Sequence, residues 1–209
     1  MIVAVVGSGG KTTYIRQQAK KYLARGKRVL VTTTTHMYAE KDTLFTNDAT
    51  EICACLEKTG YCMAGQRAEI VRENDGWNQV SPSENAGIDK EPEKICALSQ
   101  EVFARAAQAA DIVLVEADGS KRKPVKFPAR HEPVIPAGTD VVVIIMGFFA
   151  VGQTISRACH RPEQVCRCLG ADPEHRLTEA NLEQLVEEGY RKPLEQKYPG
   201  VKIICKKTL

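Results

Sequence analysis

Met1-Ile2-Val3-Ala4-Val5-Val6-Gly7-Ser8-Gly9-Gly10-Lys11-Thr12-Thr13-Tyr14-Ile15 opens the chain, and the passage from apolar run to glycines to Lys-Thr-Thr decides the fold. Residues 2–6 are continuously apolar and largely β-branched, as in a strand covered on both faces. Residues 12–25 follow as a helix. Tyr14, Ile15, Ala19, Tyr22 and Leu23 recur at helical spacing, with Arg and Lys on the other face, and Gly26 supplies a stop. Residues 28–33 form the next strand. Strand, helix and strand within about thirty residues make a parallel βαβ unit.

Outward from this unit the same alternation continues. Residues 49–58 read as a helix and 61–73 as one or two short strands. Residues 73–90 are rich in Asn, Asp, Gly, Ser and Pro, which marks an exposed loop or hairpin, so the region 61–90 is expected to be an irregular insertion. Residues 91–109 read as a helix, 112–115 as a buried strand and 140–146 as another. Between the last two, residues 119–139 carry four prolines, which forbid regular structure over much of the stretch. Helices near 162–169 and 178–189 and a strand at 201–205 complete the pattern. The expectation is a three-layer α/β, P-loop NTPase-like fold with a mostly parallel sheet, as a single domain over 1–209. Ligands in such sheets sit beyond the carboxyl ends of the strands.

Composition limits the function classes. With 43% apolar and 26% charged residues the chain is of globular type, and its net charge of +3 lacks the basic excess of a dedicated nucleic-acid binder. The longest apolar run, residues 141–146, is far short of the roughly 20 residues that span a bilayer. No basic region precedes the first apolar run, so a cytoplasmic chain without a membrane segment is expected. Two C-x-C pairs, Cys53/Cys55 and Cys166/Cys168, lack the spacing of a zinc site and read as reduced thiols.

The chemistry concentrates at the predicted strand ends. Gly7, Ser8, Gly9, Gly10, Lys11, Thr12 and Thr13 lie between a buried strand and an amphipathic helix, the context of a phosphate loop. Glycines let successive N–H groups turn toward phosphate oxygens, and the helix N-terminus adds its positive end. Lys11 is placed to reach the β- and γ-phosphates and the Thr12 hydroxyl to hold Mg²⁺. The spacing G-x-x-G-K-T is shorter than G-x-x-x-x-G-K-T and is like that of the Mur ligases. After the strand at 112–115 come Glu116 and Asp118, candidates for the metal shell or for orienting a water; their separate roles stay open. Thr34 and Thr35 continue the second strand and offer hydroxyls to a phosphate or substrate, and His36 is a further metal or acid/base candidate. Five cations, Lys121, Arg122, Lys123, Lys126 and Arg130, crowd residues 121–130. They read either as an anion-binding loop over the site or as a solvated charge run.

These motifs together resemble the YqeC family. The resemblance rests on residues 6–13, on Thr33-Thr34-Thr35-His36-Met37, and on Glu116-Ala117-Asp118-Gly119-Ser120 with Pro124 and Lys126. It continues in His131-Glu132-Pro133-Val134-Ile135-Pro136 and Cys159-His160-Arg161. Family members are described as accessory proteins for selenium-dependent molybdenum hydroxylases. The resemblance implies a P-loop nucleotide-binding fold and a role in making or inserting the selenium-containing molybdenum cofactor. It also places Lys11, Thr12, His36, Glu116, Asp118, Lys126, His131, Glu132, His160 and Arg161 in family motifs. An Asn-x-x-Asp base-reading segment is expected after the last strand, where this sequence reads Ile203-Ile204-Cys205-Lys206-Lys207-Thr208-Leu209, so ATP and GTP both remain candidates.

Three functions compete. One is a slow, Mg²⁺-dependent NTPase acting with a molybdopterin-type cofactor or a molybdenum hydroxylase. Another is a small-molecule kinase or ligase using the Mur-like loop. The last is a non-catalytic nucleotide-gated module; nucleic-acid binding through the basic loop ranks lowest.

Overall fold

The apolar run at the start of the chain becomes β1 (Ile2–Gly7), buried from Val3 onward. A computed structural model describes residues 1–68, 93–121 and 123–208. Along them β1 is followed by α1 (Lys11–Leu23), β2 (Val29–Thr33), β3 (His36–Tyr38), β4 (Leu44–Phe45), α2 (Ala49–Thr59), β5 (Tyr61–Arg67) and β6 (Lys94–Cys96). Then come α3 (Gln100–Ala109), β7 (Ile112–Glu116), β8 (Val125–Lys126), β9 (Val141–Gly147), α4 (Ile155–Ala158) and β10 (Cys159–His160). The last elements are α5 (Pro162–Leu169), α6 (Glu179–Val186), α7 (Lys192–Lys197) and β11 (Lys202–Thr208).

Among the described residues the main sheet has the order β11-β9-β1-β7-β2-β5-β6-β3, with β4 on β5. From β11 through β5 every pairing is parallel; β6 joins β5 and β3 antiparallel. Side chains alternate across β1. Val3 and Val5 face Ile15 and Ala19 of α1. Ala4 and Val6 face the opposite core, built with Ile52 and Leu56 of α2, Ala106 of α3, Val165 of α5 and Leu182 and Leu185 of α6. Each fully buried Val, Leu or Ile side chain among them contributes about 1.5–3 kcal/mol, so both faces hold the sheet and the expected three layers are present. No helix among the described residues is long and apolar enough to cross a membrane.

Three local expectations are corrected. The helix expected over 91–109 begins only after Ser99, whose hydroxyl accepts from the Val102 amide at 3.4 Å. Lys94–Cys96 is strand, because it pairs with both β3 and β5. The threonine run does not prolong β2: the strand ends at Thr33, Thr34 and Thr35 bend, and His36 starts the separate strand β3. The helix expected to end at 189 continues through a π-helical turn, Glu187–Arg191, into α7. The loop expected at 73–90 and the cation Arg122 lie outside the described residues.

Candidate functional site

Because the strands around β1 are parallel, the carboxyl ends of β1, β2, β7, β9 and β11 meet at one edge of the sheet. Gly7, Thr33, Glu116, Gly147 and Thr208 stand there. The glycine loop leaves β1 with φ of +87° at Gly7, +75° at Gly9 and +132° at Gly10, a region L side chains seldom adopt. Gly9 is also required by close approach: a Cβ there would stand 2.7 Å from the Gly147 Cα and 2.8 Å from the Pro124 carbonyl oxygen. Neighbouring strand ends and the Pro124 loop hold the glycine loop in place. The Ser8 amide donates to the Ile145 carbonyl at 2.8 Å. The Ser8 hydroxyl donates to the Pro124 carbonyl at 3.0 Å, and the Thr208 hydroxyl donates to the Gly9 carbonyl at 2.5 Å.

Helix α1 then starts at Lys11 with Gly10 as its N-cap, and no side chain caps it. The N–H groups of a helix's first turn have no intrahelical acceptor, so this end presents open donors and the positive pole of the helix. Lys11 is 5% exposed. Its ammonium donates to the Gly7 carbonyl at 2.8 Å and to the Ser120 hydroxyl at 3.4 Å, and lies 4.0 Å from Glu116 Oε1. The Thr12 hydroxyl donates to Glu116 Oε2 at 3.1 Å. Burial pushes the Lys11 ammonium below its usual range, opposed by Glu116. Burial likewise pushes the Glu116 carboxyl up, opposed by Lys11 and Thr12. Hydroxyl and carboxylate oxygens side by side suit a hard divalent cation, so Thr12 and Glu116 could hold Mg²⁺.

Glu116 and Asp118 have different surroundings. The strand ends at Glu116, and Asp118 turns inward, fully buried. Its Oδ1 accepts from the Lys126 ammonium. Its Oδ2 accepts from the Tyr190 hydroxyl at 2.8 Å and the Gly7 amide at 3.2 Å. Both Asp118 oxygens are thus engaged by protein donors, whereas Glu116 meets Thr12 and Lys11. Asp118 anchors the first residue of the glycine loop.

Lys126, expected as an anion-receiving cation of the basic loop, is 0% exposed. Besides Asp118 it donates to the Gly119 carbonyl at 2.5 Å and to Glu132 at 2.8 Å. Arg161 joins the network through two bonds to Glu132, at 2.6 and 3.2 Å. Burial alone would raise the Glu132 carboxyl, but the bonds from Arg161, Lys126 and the Ala129 amide outweigh it and bring it down to about 2. Lys126, Glu132 and Arg161 are therefore brought together as a structural chain of alternating charge leading to Asp118. His160 pairs in register with Lys126 across β10 and β8. Burial, with Arg161 and Lys126 nearby, pushes its imidazole below the usual value, and its Nδ1 is buried without a hydrogen bond among the described residues.

The remaining candidates divide, with Thr34 held beside Glu116 by its amide, which donates to the Glu116 carbonyl at 3.1 Å. The Thr34 hydroxyl donates to the Val134 carbonyl at 2.8 Å, and Thr35 lies in hydrogen-bond range of Thr33, at 3.4 Å. His36, Lys121 and His131 are exposed. A groove of about 650 Å³ lies toward the α3 face, with Phe103 and Ala107 on one wall, Ile135 and Pro136 on the other, and Thr33 and Thr34 at one end; it is not the glycine loop. Sequence reasoning missed Tyr190, Thr208 and the Pro124 carbonyl. Tyr190 stood one residue past the expected helix, and only Gly189 beside it gave a signal. A Cβ on Gly189 would sit 3.0 Å from Phe127 and Pro128, so this glycine lets the helical turn close onto the loop that carries Lys126.

With this geometry in place, comparison with known proteins gives a consistent relationship. A family model described as "YqeC protein" matches residues 3–163. The "Uncharacterized protein YqeC" of Escherichia coli (strain K12) is 32% identical over 191 residues, which cover 88% of this chain and 67% of that protein. No solved structure matches.

Proposed function

The chain belongs to the YqeC family, and on that premise we propose that it binds a Mg²⁺–nucleotide, ATP or GTP, on the loop of residues 7–13. The same reading makes it a slow NTPase that assists maturation of selenium-dependent molybdenum hydroxylases or their cofactor, the role its family motifs imply. One observation carries the nucleotide reading. The Thr12 hydroxyl stands 3.1 Å from Glu116, and the Lys11 ammonium is 4.0 Å from the same carboxylate, at an uncapped helix N-terminus.

In this reading each group has a distinct task. The open amides of the loop and first helical turn bind phosphate oxygens. Lys11 supplies a buried positive charge beside them, where desolvation strengthens its attraction for an anion. Thr12 and Glu116 would hold Mg²⁺, which when bound neutralises charge on the β- and γ-phosphates. Thr33, whose hydroxyl donates to the Glu116 carbonyl at 2.8 Å, fixes the backbone from which that carboxylate projects. Asp118, Lys126 and Tyr190 keep the start of the loop in place.

The test is calorimetric titration of ATP and GTP with Mg²⁺ into the parent protein and a Lys11→Ala variant. The parent should bind and the variant should bind at least tenfold more weakly, since a charge-assisted hydrogen bond contributes roughly 1.5–3 kcal/mol. No binding by the parent, or equal binding by the variant, would refute the reading. Single-turnover hydrolysis with and without a molybdenum hydroxylase then tests the accessory role.

A further inference from the structure

Resting on the nucleotide reading above, the geometry points to Phe149 as the platform on which the nucleobase stacks. The phosphate loop has a direction. Thr12 and Lys11, which define the metal-bearing end, face Glu116 at the end of β7. Gly9 and Gly10 face the other way: a Cβ on Gly9 would meet Gly147 at the end of β9, and one on Gly10 would meet Thr208 at the end of β11 at 3.0 Å. In the sheet β7 and β9 flank β1 on opposite sides, about 10 Å apart at two strand spacings. A polyphosphate whose terminal group lies at Thr12 and Glu116 therefore has its nucleoside end over β9 and β11.

Phe149 stands at that end. It is 53% exposed, the most exposed of the large apolar side chains among the described residues, and Val151 nearby is 42% exposed. Its ring edge adjoins Gly147, where a Cβ would come within 3.0 Å of Cε1, and Gly147 in turn touches Gly9. Its neighbours turn it outward. Phe149 is the middle residue of the 3₁₀ turn Phe148–Ala150, and Phe148 and Ala150 on either side of it are buried in the core. An aromatic ring exposed beside the loop is a surface on which any base can stack, since every base has a π-face. Such a platform recognises the nucleobase as a class without choosing adenine over guanine.

The test compares a ligand with a base and a ligand without one. Affinities of ATP, GTP and inorganic tripolyphosphate, each with Mg²⁺, are measured for the parent, Phe149→Ala and Phe149→Trp. Loss of the ring should weaken ATP and GTP about tenfold and leave tripolyphosphate unchanged. Phe149→Trp, made together with Trp77→Phe, should keep parental nucleotide affinity and show fluorescence quenching by ATP but not by tripolyphosphate. Equal affinity of the parent for ATP and tripolyphosphate, or the same loss for both in Phe149→Ala, overturns the platform while leaving the phosphate loop standing. Failure of the parent to bind either ligand overturns the phosphate loop and the platform with it.

Discussion

Replacing Lys126 by Met separates a buried strut from an anion-receiving surface charge. The ammonium has no exposed surface and is shared by Asp118, Glu132 and the Gly119 carbonyl. Met fills a similar volume but leaves the Asp118 carboxylate fully buried with only Tyr190 and the Gly7 amide as donors. Removing one partner of a buried ion pair costs about 3–5 kcal/mol. For a protein of this size each kcal/mol lowers Tm by about 2–4 °C, so Lys126→Met should melt about 6–20 °C below the parent. A solvated lysine would change stability by no more than about 0.5 kcal/mol. Circular dichroism melts and urea titrations, both without nucleotide, read the difference. Asp118→Asn added to Lys126→Met should then cost much less than it does in the parent, because the orphaned charge is gone. A Lys126→Met protein that melts within about 2 °C of the parent yet loses affinity for anions would refute the reasoning.

Two other predictions follow from the same geometry. On the proposed reading nucleotide binding needs Glu116 ionised and Lys11 protonated; burial raises the first and lowers the second. The pH profile of Kd should therefore lose affinity on the acid side above the ordinary carboxylate range and on the alkaline side below the ordinary lysine range. Glu116→Gln should remove the acid limb, and an acid limb at the usual carboxylate value would contradict the account. Tyr190→Phe keeps the ring but deletes the 2.8 Å bond to Asp118, so urea titration should show a loss of about 1.5–3 kcal/mol; a loss under about 0.5 kcal/mol would mean that Asp118 is held without it.

What the sequence made legible was local. The β-branched run of β1, the glycines and the helical spacing of α1 lie within twenty-odd consecutive residues, so periodicity and backbone chemistry suffice to read them. The glycine loop was recognisable because it joins that strand to that helix, and Glu116 because it ends a buried apolar run. What escaped depended on distant partners. Lys94–Cys96 is strand because of β3 and β5, not because three residues carry a strand signal. Lys126 looked like one of five similar cations; only the fold shows that Asp118, Glu132 and Gly119 enclose it. The separate fates of Glu116 and Asp118 were hidden for the same reason, since the chain leaves the strand between them. Tyr190 reaches Asp118 only through the π-helical turn, which the spacing of apolar residues did not reveal.

The most direct measurement is a crystal structure with a non-hydrolysable ATP analogue and Mn²⁺ in place of Mg²⁺, read by anomalous scattering. The account predicts phosphates against the amides of residues 9–13 and a Mn²⁺ peak beside the Thr12 hydroxyl and Glu116, with Asp118 still bonded to Lys126 and Tyr190. Phosphates bound away from the glycine loop, or a metal taken by Asp118 with Lys126 displaced, would contradict it.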